Sequence, residues 1–247
     1  MDARALPPGY TEWPAPAALR CAVACLWAQV TTSGGNRVGL VLPDGCTDLI
    51  WEQGRGAFVA GPDTGPVPAT MMADTVVLGV RFRPPAGGPA LGIPLSELRD
   101  QRVDLADLRP AEARRLPATL DPATAVARAL EVTAALLTEG SPDPAVTRAA
   151  RLLRDPQTRA EDVAAEVGLS PRQLRRRCHA AVGYGPKTLQ RVLRFRRFVS
   201  RIDARPDALD LAALAAAAGY ADQAHLTREC GKLSGLTPAA LARQRVP

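Results

Sequence analysis

The chain has 247 residues, 47% of them hydrophobic and 23% charged. This length accommodates two folded domains at the usual size of about 100 to 200 residues each. Apolar runs fall short of the roughly 18 residues that cross a bilayer, and the N-terminal residues lack a signal-peptide pattern. The sequence thus predicts a cytoplasmic protein with no membrane partner. Five cysteines without paired spacing predict no disulfide framework.

The sequence pattern of residues 1–110 predicts a β-rich domain. Short apolar or alternating runs at 38–42, 47–51, 57–60 and 75–82 are interrupted by Pro, Gly and Asp, as expected of a small β-barrel or sandwich. Residues 16–30, by contrast, look helical or mixed, with Leu19, Val23, Leu26 and Trp27 on one side.

A small barrel can enclose one small molecule between its sheets. Aromatic side chains there are more often plain core, but some could form pocket walls. The candidate effector-binding residues are Trp13, Trp27, Cys46, Trp51 and Phe82.

Catalysis is not expected of this domain. Both histidines, His179 and His225, lie outside it, so it offers no imidazole ligand for a metal-dependent enzyme. Roles in turns and at strand edges explain three carboxylates better than acid/base catalysis does: Asp44, Asp48 and Glu52. We therefore expect no catalytic residue, no cofactor and no resident metal.

Three cysteines leave an alternative open. Cys21 and Cys25 are four apart on the segment that looks helical, and Cys46 lies in the turn PDGCTD. Three thiols could hold a soft metal, or Cys46 alone could sense oxidants or electrophiles. Buried cysteines acting as small hydrophobes are the commoner explanation.

A helical region at 111–140 connects the two halves. Residues 123–138 form an amphipathic pattern with Val126, Leu130, Leu136 and Leu137, and we expect this helix to form a homodimer. The linker GSPDP at 140–144 then stops the helix with two prolines. A second folded domain is expected at 145–247.

The C-terminal domain contains an internal repeat: one sequence unit occurs twice. Leu174, Cys178, Gly183 and Pro186 recur 52 residues later as Leu226, Cys230, Gly235 and Pro238. Each copy reads as an Ala-rich helix, a glycine turn and a second helix, which is the helix-turn-helix form.

The second helix of copy one carries the clearest signals. Ser170, Pro171 and Gln173 are an N-cap, a first-turn proline and a capping-box partner. Leu174 and Cys178 face inward, which leaves arginines outward, and arginine reaches base edges and phosphates. Copy two presents a more mixed polar face, on a helix that Gly231 weakens by about 1 kcal/mol relative to Ala.

Charge and the connecting segment support a nucleic-acid partner. Residues 148–247 hold 19 basic and 9 acidic side chains, net +10, whereas residues 1–147 hold 12 and 16, net −4. A basic domain of this kind suits a polyanion. Residues 187–203 predict one helix about 26 Å long, a rod that could hold two recognition helices in successive major grooves of double-stranded DNA.

The stretches VAAEVGLSPRQLRRRCHAAVGYGPKTLQRVLRFRRF and LAALAAAAGYADQAHLTRECGKLSGLTPAAL resemble the DNA-binding domain of the AraC/XylS family of bacterial transcription regulators. The segment LVLPDGCTDLIW is similar to a motif in a poorly characterised subgroup of that family. The resemblance implies an α+β chain: a cupin-like β-barrel with flanking helices, then an all-α domain with two helix-turn-helix units joined by a linker helix.

The resemblance also implies partners and site residues. The DNA contacts are expected at Arg172, Gln173, Arg175, Arg176, Gln223, His225, Thr227 and Arg228. A small-molecule effector is expected in the N-terminal domain, and RNA polymerase is a further partner if the protein is an activator. The alternatives are a thiol- or metal-sensing regulator and a regulator linked to DNA repair, since some repair proteins carry a similar domain.

Overall fold

The computed structural model describes residues 6–32, 36–204 and 210–245. It confirms the α+β class: the strands lie in the first 104 residues, and the helices dominate the remainder. Within the described residues, no helix combines the length and hydropathy needed to cross a membrane.

The N-terminal domain contains antiparallel strands in two sheets. Their bounds are β1 Gly9–Pro14, β2 Val23–Thr31, β3 Arg37–Val41, β4 Thr47–Glu52, β5 Gly56–Ala60, β6 Val67–Met71, β7 Thr75–Phe82 and β8 Arg102–Asp104. One sheet has the order β1-β2-β7-β4-β5-β8, and β3 pairs only with β6. Backbone pairing in the described part of the chain therefore forms two sheets and does not close a barrel.

The large sheet has two chemically different faces. In β4 and β7, Leu49, Trp51, Leu78 and Phe82 point to one side and pack on the helix α4, Pro122–Glu139. The alternate residues point to the other side, towards β3 and β6. Because side chains alternate along a strand, one sheet carries both a core and a second, more polar surface.

The segment 16–30 corrects the sequence-based expectation of a helical or mixed region. Apart from one 3-10 turn at Ala17–Leu19, it forms the long strand β2. Leu26 and Ala28 face the α4 core, whereas Trp27 lies on the opposite face. Pairing with β1 on one side and β7 on the other outweighs the helical spacing of its apolar residues.

Short helices and a linker helix complete the first half. They are α1 Gly87–Leu91, α2 Leu105–Leu108, α3 Pro110–Ala113 and α4 Pro122–Glu139. Asp121 caps α4 by accepting a hydrogen bond from the Thr124 backbone N–H at 3.0 Å. The apolar side of α4, including Val132 and Leu136, is buried against its own sheet, so that side is not free for a partner subunit.

The C-terminal domain is helical, and its core is separate from that of the sheets. The helices are α5 Pro144–Leu152, α6 Val163–Glu166, α7 Pro171–Val182, α8 Pro186–Ala204, α9 Leu211–Ala218, α10 Gln223–Ser234 and α11 Pro238–Arg245. The predicted rod is α8, whose 19 residues span about 28 Å. Leu189, Val192, Phe195 and Phe198 bury its apolar side.

Candidate DNA interface and effector cavity

The first helix-turn-helix unit consists of α6, a turn and α7. Gly168 makes the turn at φ 69°, a left-handed conformation that suits glycine. The predicted capping box is present: Ser170 Oγ accepts from the Gln173 backbone N–H at 3.3 Å, and Gln173 Oε1 accepts from the Ser170 backbone N–H at 2.9 Å. These contacts fix where the recognition helix begins.

Leu174 and Cys178 are buried on the inner face of α7. Arg172, Arg175 and Arg176 are exposed on the outer face. The structure thus brings together the three arginines of the expected DNA surface. Gln173 is different, because its side-chain oxygen is engaged within the capping box.

The second unit consists of α9, a turn at Gly219 and α10. Asp222 caps α10, its carboxylate accepting from the His225 backbone N–H at 2.6 Å. Gln223, Thr227 and Arg228 are exposed. The Thr227 hydroxyl donates to the Gln223 carbonyl at 2.9 Å, so Thr227 offers a methyl group and an oxygen acceptor to a ligand.

His225 has a packing role within the protein. Its half-buried ring meets the ring of Tyr220 edge-on, with centroids 5.2 Å apart. Gly231 lies inside a continuous α10 and does not break it. Among the DNA-contacting residues expected on α10, those that are exposed are therefore Gln223, Thr227 and Arg228.

Two arginines of α8 contact the second unit. Arg191 Nε lies 2.7 Å from the carboxylate of Glu229, which is 7% exposed. Arg197 donates to the Ala218 carbonyl at 2.7 Å and also to the Arg154 carbonyl. Part of the basic charge of this domain therefore connects the rod to the second unit and to the segment after α5, and is not a free DNA surface.

A cavity of about 400 Å³ lies between the large sheet and the two-stranded sheet of β3 and β6. This volume is within the usual range for small-molecule sites, about 300 to 1,000 Å³. Its apolar wall includes Ile50, Phe58 and Val77, and Trp27 lies above Gly79. A Cβ at Gly79 would come within 2.0 Å of the indole, so only glycine leaves room for this aromatic wall.

Arg81 is the polar centre of the cavity. Its guanidinium lies 3.1 Å from Asp48, 3.4 Å from Asp44 and 3.1 Å from Glu12. The indole of Trp27 donates to Asp48 at 2.6 Å. Burial raises the pKa of the Asp48 carboxyl, an effect that Arg81 opposes.

At the cavity's other side, Arg102 donates two hydrogen bonds to Asp63, at 2.8 and 2.7 Å. Sequence reasoning did not single out Arg81, Arg102, Asp63 or Tyr10. It did note Asp44 and Asp48, and the turn role of Asp44 is visible, because its carboxylate accepts from the Cys46 backbone N–H at 2.8 Å.

The predicted effector-binding residues fall into two groups. Trp27 and Cys46 line the cavity. Trp13, Trp51 and Phe82 lie on the opposite face of the sheet and pack in the α4 core, and the Trp51 indole donates to the Pro117 carbonyl at 2.9 Å. The alternation of strand residues, rather than aromatic character, separates the two groups.

The cysteines do not form a common site. All five are free thiols; Cys21 is exposed, before β2, whereas Cys25 and Cys46 are buried. Burial raises the pKa of Cys25 to about 11 and raises that of Cys46 as well. Across the part of the chain that the structure describes, no group of three or more His, Cys, Asp or Glu residues is arranged to hold a metal ion.

The two domains meet at the turn between α7 and α8. The Leu95 backbone N–H donates to the Ala180 carbonyl near the end of α7 at 2.7 Å. The buried ring of Tyr184 lies beside the turn of Gly45: a Cβ on Gly45 would lie 3.4 Å from the Tyr184 hydroxyl and 3.5 Å from Leu189 Cδ1. A cavity-lining turn thus lies against the α7–α8 turn and the rod.

The two halves of the chain match two different protein-family models. Residues 163–244 match the family model of a helix-turn-helix domain. Residues 11–104 match a domain of unknown function, DUF6597. No curated protein matches the chain.

Two solved structures of ToxT from Vibrio cholerae are similar to this chain. An apo form, a point variant from strain SCE256, has 10% identity and a TM-score of 0.48. The protein of strain O395 has 8% identity and a TM-score of 0.49. Each alignment covers 90% of this chain and 98% of ToxT.

The matched family and the two capped recognition helices define a DNA-binding protein of the helix-turn-helix class. More particularly, the C-terminal domain is of the AraC type, and the chain is a DNA-binding transcription regulator.

Proposed function

We propose that this regulator binds a specific DNA sequence through α7 and α10 and that occupancy of the N-terminal cavity alters that binding. The observation that carries the proposal is the turn at residues 44–46. Asp44 and Cys46 line the cavity, and Gly45 between them abuts Tyr184 and Leu189 of the DNA-binding domain. A ligand that moves this turn would act directly on the rod and on the α7–α8 turn, which follows the first recognition helix.

For the DNA surface, the exposed arginines of α7 suit phosphates and guanine, which accepts two hydrogen bonds from one guanidinium. The α10 surface combines an amide, a hydroxyl and a guanidinium, which can distinguish more bases. We infer that the first unit chiefly anchors the protein and that the second chiefly selects the sequence. Selection of bound DNA from a random pool, followed by affinity measurements, tests this division.

The effector role has its own test. DNA affinity is measured for the selected sequence across a small-molecule panel, in the parent and in an Ala60→Met variant. Ala60 is buried at the cavity wall, so a longer side chain there reduces the free volume. Ala127→Met, on the exposed side of α4, is the matched control. A compound that acts on the parent and the control, but not on Ala60→Met, supports the proposal; one that acts equally on all three contradicts it.

Homodimer formation through α4 stays a proposal. Its large apolar side chains pack on its own sheet, which leaves Ala127, Arg128, Glu131 and Ala134 among its exposed residues. A dimer through this helix would therefore use small and charged groups. Sedimentation of the full chain and of an Ala127→Glu/Ala134→Glu variant tests it: a dimer that persists in the variant contradicts the use of this face.

A further inference from the structure

We propose that the cavity binds a small organic cation, such as a protonated amine with an apolar body, and that Asp48 and Asp44 recognise its positive charge. This inference rests on the proposed function only in taking the cavity as the effector site. It adds the chemical class of the ligand.

The ion pairs around Arg81 leave an excess of negative charge. One guanidinium faces three carboxylates, those of Glu12, Asp44 and Asp48, at 3.1 to 3.4 Å. Elsewhere in the cavity, Arg102 is matched by Asp63 through two hydrogen bonds. An anionic ligand would have to displace a carboxylate from an arginine that is already occupied. A cation instead adds the missing positive charge.

One carboxylate oxygen of Asp48, Oδ2, is available to accept a hydrogen bond. Its Oδ1 atom takes the hydrogen bonds from both Trp27 and Arg81. Among the residues that the structure describes, none donates a hydrogen bond to Oδ2. The Asp48 side chain is 14% exposed and lines the cavity, so its Oδ2 atom can accept a hydrogen bond from a ligand there.

The walls suit the same ligand class. Tyr10 and Trp27 stack obliquely, with ring centroids 5.9 Å apart, and both line the cavity. Cations are attracted to the faces of such rings, and the cavity already contains one example: the Arg55 guanidinium carbon lies 3.9 Å from the centre of the Phe58 ring. Ile50 and Val77 supply apolar surface for the body of the ligand.

Three probes that share a phenyl ring test the inference on the full-length protein: 2-phenylethylamine, 2-phenylethanol and phenylacetate. Binding is measured at neutral pH by calorimetry and by fluorescence of the cavity tryptophan. Hydrogen bonds to charged groups exceed neutral ones, so we expect the amine to bind about tenfold more tightly than the alcohol. The carboxylate is expected to bind most weakly. Equal or tighter binding of phenylacetate, or no binding of the amine at millimolar concentration, would overturn the proposal.

Variants locate the charge recognition. Asp48→Asn and Asp44→Asn should each weaken binding of the amine several-fold and leave the alcohol unchanged. Each change removes a carboxylate that faces Arg81, so the folding of both variants is checked by thermal unfolding. Asp74→Asn is the matched control: Asp74 is exposed, lies outside the cavity and has φ 53°, a conformation that Asn tolerates. Unchanged amine affinity in both folded cavity variants would overturn the assignment.

The same samples separate this inference from the proposed function. If the amine binds with the expected preference and DNA affinity stays constant, the effector role fails and the ligand class stands. If phenylacetate binds more tightly and shifts DNA affinity, the ligand class fails and the effector role stands.

Discussion

The hydroxyl of Tyr184 lies beside Gly45, where an added Cβ would be 3.4 Å away, and it is buried without a hydrogen-bond partner among the described residues. Tyr184 belongs to the DNA-binding domain, and Gly45 belongs to the turn that borders the cavity. Their contact therefore joins the DNA-binding domain to the border of the cavity.

We expect Tyr184→Phe to leave the free energy of unfolding unchanged or slightly higher, because an unpaired buried hydroxyl contributes nothing favourable. Tyr184→Ala should cost about 3 to 5 kcal/mol, as for other large aromatic truncations. Tyr220→Phe is a matched control, since the Tyr220 hydroxyl is likewise buried and unpaired within the described part of the chain. Urea unfolding measures all three; a loss above about 1 kcal/mol in Tyr184→Phe would show that the hydroxyl has a partner.

Gly231→Ala should stabilise the chain. Gly231 lies within α10, and an added Cβ there meets no described atom within 4 Å. Alanine in a helix interior is favoured over glycine by about 1 kcal/mol. Gly219→Ala is the contrasting variant, because its φ is 88° and its Cβ would lie 2.3 Å from Pro156 Cβ. If thermal unfolding shows both changes to be destabilising, the assigned position of Gly231 on an open face is contradicted.

The Arg191–Glu229 pair predicts an asymmetric response. Glu229 is largely buried, whereas the Arg191 side chain is 38% exposed. Removing Arg191 leaves a buried carboxylate unpaired, so Arg191→Met should cost about 1 to 3 kcal/mol. Glu229→Gln should cost less, since Arg191 can turn to solvent and the amide keeps an acceptor oxygen. Denaturant unfolding compares the two; a larger loss in Glu229→Gln would contradict this account.

Thiol reactivity should distinguish one cysteine from the rest. The thiolate is the reactive form, and burial raises the pKa of Cys25 to about 11 and that of Cys178 to about 12. Iodoacetamide at neutral pH should therefore label exposed Cys21 first. Labelling of Cys25 should increase as the pH rises through about 11, because its thiolate forms there. Mass spectrometry after a short reaction identifies the labelled residue; rapid labelling of Cys46 would revive the thiol-sensing alternative.

Sequence reasoning reaches furthest where contacts are local. The capping box of Ser170 and Gln173 and the buried pair Leu174 and Cys178 depend on neighbours within one or two helical turns. The buried pair occurs again in the second unit as Leu226 and Cys230. The helical alternative for residues 16–30 is wrong because pairing with distant strands makes residues 23–30 part of β2. The ion-pairing role of Arg81 could not be predicted for the same reason. Its partners Glu12 and Asp48 are 69 and 33 positions away in the sequence.

The face of an aromatic residue is equally hard to predict. Trp27 and Trp51 are both strand tryptophans in one sheet, yet one lines the cavity and the other packs beneath α4. Which face is buried depends on where α4 lies, and that helix begins about 70 residues after Trp51.

The central claim, sequence-specific binding through both recognition helices, is tested most directly by one set of affinities. Arg172→Ala and Arg228→Ala are compared with the parent on the selected DNA and on unrelated DNA at fixed salt. If each arginine pairs with a base, each variant should lose about 1 to 3 kcal/mol on the selected DNA and much less on unrelated DNA. Equal affinity for both DNAs in the parent and in both variants would contradict the claim.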